Sequence, residues 1–140
     1  MVRVTWSAAR AEPGLRAGSA PVAPTISVVV PARNEAARIA GCLSPLRGAP
    51  GVLEVVVVDD ESTDGTADVA SALGASVLAG APLPDGWVGK SWALHQGASV
   101  ARGEWVVTLD ADAIPDPALP SALVARLERD GVRVATDPPP

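Results

Sequence analysis

The stretch "EVVVVDDESTDGT", residues 54–66, decides the fold. Its unbroken run of valines is typical of a strand that is buried on both faces, as in a parallel sheet, and the polar residues that follow mark the end of that strand. The next segment, "STDGTADVASALG" (62–74), has a helical period, with Val69 and Leu73 four residues apart and Gly74 as a stop. This order predicts the strand–helix unit of an α/β domain.

The same alternation runs along most of the chain. Strands are predicted at "ISVVV" (26–30), "EVVVV" (54–58), "ASVLA" (75–79), "EWVVTL" (104–109) and "VRVAT" (132–136), and helices at residues 34–48, 62–74, 89–103 and 116–131. Because buried strands alternate with helices, we predict an α/β fold with a doubly wound, mostly parallel sheet.

Residue types predict where the first two helices begin and where the first one ends. Asn34 is the expected N-cap of the first helix, and Pro45 should end or bend that helix. Ser62, Thr63 and Asp64 precede the second helix, and helix capping is the main role that we expect for them.

The chain of 140 residues is long enough for one domain with a hydrophobic core. Residues 1–24 are rich in Ala, Gly, Pro and Arg without a sustained apolar period, which predicts a flexible leader before a domain at 25–140. The chain stops in three prolines directly after a predicted strand, so we expect the domain to be incomplete at its C-terminus.

Charge and cysteine content narrow the class of protein. The formal net charge is -5 and the basic residues form no cluster that could follow a phosphate backbone, so nucleic acid is not an expected partner. Cys42 is the single cysteine, which excludes an internal disulfide and favours a buried apolar role.

No apolar stretch is long enough to span a bilayer or to form a signal peptide, and we therefore expect a cytoplasmic chain.

Polar segments follow each predicted strand. They are "PARNE" (31–35), "DDESTDG" (59–65), "GAPLPDGWVGK" (80–90) and "DADAIPD" (110–116). Ligands of open α/β sheets bind outside the carboxyl ends of the strands, so the four segments should converge on one site.

Asp110 and Asp112 in the last of these segments have two interpretations. If the backbone stays extended, both carboxylates point the same way and can hold Mg²⁺ or Mn²⁺. Alternatively, Asp110 forms an Asx turn and Asp112 caps a turn before Pro115. The acidic pair Asp59 and Asp60, which ends another buried strand at the same predicted edge, favours metal binding.

The remaining polar and aromatic residues indicate a function less clearly than the acidic pairs do. Lys90 is the only lysine and begins a predicted helix, where it either binds phosphate or is simply solvated. His95 is the only histidine and is expected to be a packed or surface residue. Trp87 and Trp92 either stack on a sugar or base or anchor the core, and Trp92 shares a predicted helical stripe with Gln96 and Val100.

Taken together and in this order, "SVVVPARNEAARIAGCL", "VVVVDDESTDGT" and "GKSWALHQGASVARGEWVVTLDADAIPDP" resemble the family-2 glycosyltransferases with the GT-A fold. The stretch "PLPDGWVGKSWALHQGA" is similar to the branch that glycosylates lipid acceptors, which includes transferases associated with hopanoid and carotenoid biosynthesis and the ceramide glucosyltransferase-like group. The resemblance implies an enzyme that takes a sugar from a nucleotide diphosphate and transfers it to a lipid-like or polysaccharide acceptor.

The resemblance also implies roles for individual residues. Asp110 and Asp112 match the D-x-D motif that holds a divalent cation, Mn²⁺ or Mg²⁺, on the diphosphate of a UDP-sugar or GDP-sugar. Asp60 matches the carboxylate that binds the base. Lys90 matches a basic position that contacts the nucleotide.

Pro31, Arg33 and Glu35 lie, by the same resemblance, in the loop that packs around the nucleoside. Arg33 stands where the family often has an aromatic residue, and a guanidinium group can also stack on a base.

The resemblance implies inverting transfer by direct displacement, for which the family uses an aspartate downstream of D-x-D as general base. Asp116 and Asp137 are candidates by default, because we expect the chain to end before the position of the family's base. Because lipid-acting relatives usually carry transmembrane helices, we expect this chain to be the donor-binding half of a membrane-associated transferase.

Three functions remain open from the sequence. The first is a metal-dependent glycosyltransferase, and the second is a non-catalytic nucleotide-sugar-binding module whose partner chain supplies the base and the acceptor site. The third is a nucleotidyltransferase, which would need a Gly-rich loop after the first strand, where "PARNE" has no glycine.

Overall fold

The computed structural model describes residues 24–131, so the predicted leader up to residue 23 and the predicted strand at 132–136 lie outside the described residues. The described elements are, in chain order, β1 (Ile26–Ala32), α1 (Ile39–Leu43), a 3-10 turn (Ser44–Leu46), β2 (Val52–Asp59), α2 (Thr66–Ala72), β3 (Ser76–Ala79), α3 (Gly89–Val100), β4 (Trp105–Thr108) and α4 (Leu119–Arg129).

Within the described residues, the strands form one parallel sheet in the order β3-β2-β1-β4. β1 lies at its centre, where Val29 is the register partner of Val56 on β2 and of Thr108 on β4. The carboxyl ends of the strands therefore lie at one edge of the sheet.

Alternate residues of β1 face opposite sides of the sheet, as the two-residue period of a strand requires. Val28 and Val30 belong to the core cluster that includes residues of α1, α2 and α4. Val29 belongs to a second cluster, which it shares with Ala93 of α3. Helices cover both faces of the sheet, so the doubly wound α/β fold is confirmed.

Two predicted helices begin later than the sequence pattern indicates. The first begins at Ile39 and not at Asn34, because Asn34 adopts a left-handed backbone conformation with φ of 51°. The second begins at Thr66, and its N-cap position is Gly65, with φ of 85°. Pro45 lies inside the 3-10 turn that ends the first helix, as expected of a helix-ending proline.

The stripe predicted on α3 was displaced by one residue. Ala93 and Gly97 are the buried residues of this helix, whereas Val100 is 47% exposed. A Cβ atom on Gly97 would overlap Cγ1 of Val29 and lie 3.0 Å from Cγ2 of Val58. Small residues therefore face the sheet because the backbone of α3 approaches it closely.

β3 is an edge strand of the described sheet, and the prediction that it is buried on both faces is wrong. Its residues are exposed or only half-buried, and Val77 is 36% exposed. Apolar composition alone does not distinguish an edge strand from a central one, since strand order is a property of the tertiary structure.

At the amino ends of the strands, the buried carboxylate of Glu54 joins two elements. It accepts hydrogen bonds from the Ser27 hydroxyl (2.8 Å) and from the backbone N–H (2.7 Å) and Nε (3.2 Å) of Arg102. Burial by itself would raise the pKa of Glu54, but these hydrogen bonds and the Arg102 charge hold it below its usual value. The ionised carboxylate therefore ties β1 to the segment before β4.

Within residues 24–131, none of the helices combines the length and the apolar character needed to cross a lipid bilayer.

Replacing Gly97 with alanine should destabilise the fold by about 1–3 kcal/mol, because the new methyl group enters a filled site between α3 and the sheet. Gly41→Ala is the matched control, since a Cβ there lies at an ordinary 3.6 Å from Ile114. Urea unfolding of both variants measures the difference. Equal stability of the two variants would contradict close packing at Gly97.

Protonation of Glu54 should make the fold less stable in acid. Its folded-state pKa lies below the unfolded value, near 4.5, so the folded state binds fewer protons. The resulting stabilisation is fully present above the unfolded pKa and is lost as pH falls through the folded pKa. Urea unfolding at about pH 7 and about pH 3.5 should show a smaller decrease in stability for Glu54→Gln than for the parent chain. An identical pH dependence in both chains would refute this role.

Candidate functional site

A cavity of about 380 Å³ opens at the carboxyl ends of the strands. It is lined by residues from the end of β1, from the segments after β1, β2 and β4 and from the first half of α3: Pro31, Ala32, Arg33, Glu35, Asp60, Gly89, Lys90, Ala93, Asp110, Ala111 and Asp112. All seven site residues predicted from the sequence lie on this wall, although they are spread over more than eighty positions of the chain. The roles implied for them stay predictions.

One side of the cavity is formed by the segments after β1 and β2. Nη1 of Arg33 lies 3.9 Å from Oδ2 of Asp60, and both side chains are largely open to solvent. Such an exposed pair contributes little to stability, so both groups are available to a ligand.

Glu35 is more enclosed than its neighbours on this side. Its Oε2 forms an ion pair with Nε of Arg38 at 2.8 Å. The N–H bond of Arg38 does not point at this oxygen, so the buried Oε2 has no hydrogen-bond partner among the described residues. The ion pair with Arg38 and the surrounding residues hold the carboxylate in place. Glu35 lines the cavity, so its carboxylate can accept hydrogen bonds from a ligand there.

The other side of the cavity is formed by the start of α3 and the segment after β4. Lys90, in the first turn of α3, forms an ion pair with Oδ1 of Asp110. Backbone N–H groups at the start of a helix are not used by the helix itself and favour anions. This side of the cavity therefore combines an anion-binding helix end with a carboxylate pair.

The backbone at D-x-D is a turn, so the extended backbone that the first of the two interpretations requires is not observed. The N–H of Ala113 donates to the carbonyl of Asp110 at 3.0 Å, because the chain must reverse direction before α4. Asp110 and Asp112 nevertheless both line the cavity. The Asp110 carboxylate accepts from the Lys90 side chain, and the hydrogen bond that closes the turn joins backbone groups.

The two carboxylates have the chemistry of a hard-cation site. Mg²⁺ binds through one or two protein carboxylates, with water and phosphate oxygens as its other ligands. Asp110 and Asp112 supply this number of carboxylates, and within residues 24–131 no group of three acidic, histidine or cysteine residues is placed to hold a metal. The residues present therefore fit a metal shared with a phosphate ligand.

Cys42 lies beneath this turn, fully buried. Burial raises its pKa to about 12, with a further contribution from the negative charges of Asp110 and Asp112. The thiol therefore stays protonated at neutral pH and is a packing residue, as predicted from composition.

The loops after β1 and β2 are joined by hydrogen bonds that the sequence did not predict. The N–H groups of Asn34, Glu35 and Ala36 donate to Ser62 Oγ (2.9 Å), Thr66 Oγ1 (2.9 Å) and Asp64 Oδ2 (3.1 Å), and Thr63 N–H donates to Asn34 Oδ1 (2.8 Å). We call this set of contacts between residues 34–36 and 62–66 the loop clasp.

The capping role predicted for Ser62, Thr63 and Asp64 is only partly right. Asp64 accepts the N–H of Thr66 at 3.1 Å, at the start of α2, but Ser62 and Thr63 bond to Asn34 across the loop. The sequence shows a run of short polar residues at 62–64. Such a run indicates side chains that form hydrogen bonds with nearby backbone groups, but it does not reveal a partner far away in the chain.

The two tryptophans of this region pack on each other and not on the core. Trp87 and Trp92 meet edge to face at 5.2 Å, and His95 lies 5.7 Å from Trp92 in a stacked arrangement. Trp92 Nε1 donates to the carbonyl of Ala81 (3.0 Å), and the N–H of Ala81 donates to Gln96 (2.7 Å). Trp92 and Gln96 therefore fasten the loop after β3 to α3, and His95 is a surface residue, as predicted.

Asp116 is not among the residues that line the cavity. Its Oδ1 accepts the N–H of Ala118 at 2.8 Å, just before α4, which is a structural role. Asp137 lies outside the described residues.

Comparison with known proteins gives the family. The model of glycosyl transferase family 2 matches residues 27–140. A curated relative, the 4,4'-diaponeurosporenoate glycosyltransferase of Staphylococcus haemolyticus, is 39% identical over 90 residues, which cover 63% of this chain and 24% of that protein.

Solved structures agree with this family. The glucosyl-3-phosphoglycerate synthase of Mycobacterium tuberculosis in complex with Mn²⁺ and UDP-glucose superposes with a TM-score of 0.64 and 36% identity, over 74% of this chain and 39% of that one. The mannosyl-3-phosphoglycerate synthase of Rubrobacter xylanophilus gives a TM-score of 0.64 and 34% identity, over 74% and 36% of the two chains.

These relatives are enzymes, and the chain spans well under half of the length of each. The parallel sheet, the placement of the cavity at its carboxyl edge and the family match over residues 27–140 lead to one conclusion. The chain belongs to glycosyl transferase family 2 and has the GT-A fold.

Proposed function

We propose that this chain forms the donor site of a metal-dependent glycosyltransferase that uses a UDP-sugar. The observation that carries the proposal is the cavity at the carboxyl edge of the sheet, which has carboxylates and cations on both of its sides. The proposed donor follows the synthase of Mycobacterium tuberculosis, whose structures contain UDP-glucose with Mn²⁺ and UDP with Mg²⁺.

The charge of the cavity supports the requirement for a metal. Glu35, Asp60, Asp110 and Asp112 line it together with two basic residues, which leaves a formal excess of two negative charges. A nucleoside diphosphate adds further negative charge to a site that already repels it, and the repulsion is strong at short range. Asp110 and Asp112 would hold a divalent cation, which would supply positive charge to offset this excess and the charge of a departing diphosphate.

Different residues of the cavity are proposed to contact different parts of the donor. We propose that Asp60 accepts hydrogen bonds from the base or ribose, that Arg33 packs against the base, and that Pro31 and Glu35 complete the wall around the nucleoside. Lys90 leaves Asp110 and binds a phosphate oxygen, since both partners are anionic and the helix start favours the phosphate.

The acceptor and the stereochemistry follow from the family resemblance. We propose inverting transfer to a lipid-like acceptor, and the support is the curated relative, which is named for 4,4'-diaponeurosporenoate. The structural relatives are named for phosphoglycerate, so a glycosylation assay with both classes of acceptor is the direct comparison.

Binding of UDP should require a divalent cation and Asp112. We expect Asp112→Asn to weaken UDP binding in the presence of Mn²⁺ by about tenfold or more, since even outer-shell partners of metal ligands are worth about that factor. Isothermal titration of the chain with UDP, with Mn²⁺ and after chelation, gives the measurement.

Asp116→Asn is the matched control, because it makes the same change at an exposed aspartate outside the cavity. Its UDP affinity should equal that of the parent chain. UDP binding that survives chelation, or that is the same in the two variants, would contradict the role of D-x-D.

A further inference from the structure

The loop clasp connects the residues of one side of the cavity to each other and touches none on the opposite side. Its contacts involve residues 34–36 and 62–66. Arg33 immediately precedes the first segment, Glu35 lies inside it, and Asp60 lies just before the second. Lys90, Asp110 and Asp112 take no part in it.

The clasp spans two residues with an unfavourable backbone conformation. Asn34 has a φ of 51° and Glu61 a φ of 56°, and a non-glycine residue in this region carries a conformational cost. Each of these residues adjoins a cavity residue, Arg33 or Asp60. The cross-loop hydrogen bonds offset that cost and so keep the two loops in one arrangement.

Asp64 and Thr66 are the centre of the clasp. The fully buried Thr66 accepts the N–H of Glu35 at 2.9 Å and donates its own hydroxyl to Asp64. Asp64 in turn accepts the N–H of Ala36. The Thr66 hydroxyl and the backbone N–H groups of Ala36 and Thr66 lower the pKa of Asp64, so it remains an ionised acceptor at neutral pH.

We infer that Asp64 and Thr66 are positioning residues that set the spacing of Glu35, Arg33 and Asp60, and so control affinity for the nucleoside part of the donor without affecting the diphosphate part. The inference rests on the proposed function. It adds that the two sides of the cavity differ. Only the side formed by the segments that follow β1 and β2 depends on the clasp.

Two variants test this division. Asp64→Asn replaces one acceptor oxygen with an NH₂ group that cannot accept a hydrogen bond. Thr66→Val keeps the shape of the side chain and removes the hydroxyl, whereas Thr66→Ser keeps the hydroxyl. Asp68→Asn is the matched control, because Asp68 is an exposed acid in the first turn of α2 outside the clasp.

Affinities for UDP and for pyrophosphate, each with Mg²⁺, distinguish positioning from general loosening. We expect Asp64→Asn and Thr66→Val to weaken UDP binding about fivefold to tenfold, the effect of one or two lost hydrogen bonds, and to leave pyrophosphate binding unchanged. Thr66→Ser and Asp68→Asn should bind UDP like the parent chain. Equal losses for both ligands, or no loss for UDP, would overturn the inference.

Amide hydrogen exchange provides a measurement without any ligand. The amides of Glu35 and Ala36 should exchange faster in Thr66→Val and Asp64→Asn than in Asp68→Asn, and unchanged protection would show that the clasp does not hold the loop. If the parent chain binds no UDP, the proposed function is wrong and the inference falls with it. If the parent binds UDP and Asp64→Asn binds it equally well, only the inference is wrong.

Discussion

The parallel pairing of β1 with β2 and β4 is the constraint on which the rest of the structure depends. Parallel strands in register bring their carboxyl ends to one edge, and each strand must then be followed by a polar segment that leaves the sheet there. The cavity is a direct consequence of this geometry. Residues after β1, β2 and β4 meet in it although they are far apart in the chain.

The close approach of α3 to the sheet places Lys90 in the wall of the cavity. Gly97 has no side chain, so the helix lies near enough to Val29 and Val58 to bring its first turn beside the D-x-D turn. Lys90 in that first turn reaches Asp110. Packing in the core and electrostatics in the cavity are thus linked through one helix.

Both sides of the cavity contain an acid–base pair, and the two pairs differ in what surrounds them. Arg33 and Asp60 form a loose, solvent-exposed contact, while Lys90 forms a close pair with the less exposed Asp110. Exposed ion pairs contribute little to stability. We propose that ligand groups replace both pairs and that the loop clasp limits how far the first pair can move.

Sequence reasoning predicted most of the fold and the members of the cavity wall. Valine runs, helical periods and the polar segments after strands are local signals, and they were sufficient to identify the strands and helices from Ile26 to Arg129. The starts of α1 and α2 were placed too early, because Asn34, Ser62 and Thr63 form hydrogen bonds with one another across two loops and not with their own helices. No local pattern specifies a partner at that distance.

The sequence by itself determined the α/β alternation, the burial of the central strands and the residues available for donor binding, because these depend on side-chain type and spacing. Only the tertiary structure decided which strand lies at an edge, that D-x-D is a turn and that the loop clasp joins the segments after β1 and β2. These features depend on which segments meet in space, and the packing of helices on both faces of the sheet sets those contacts.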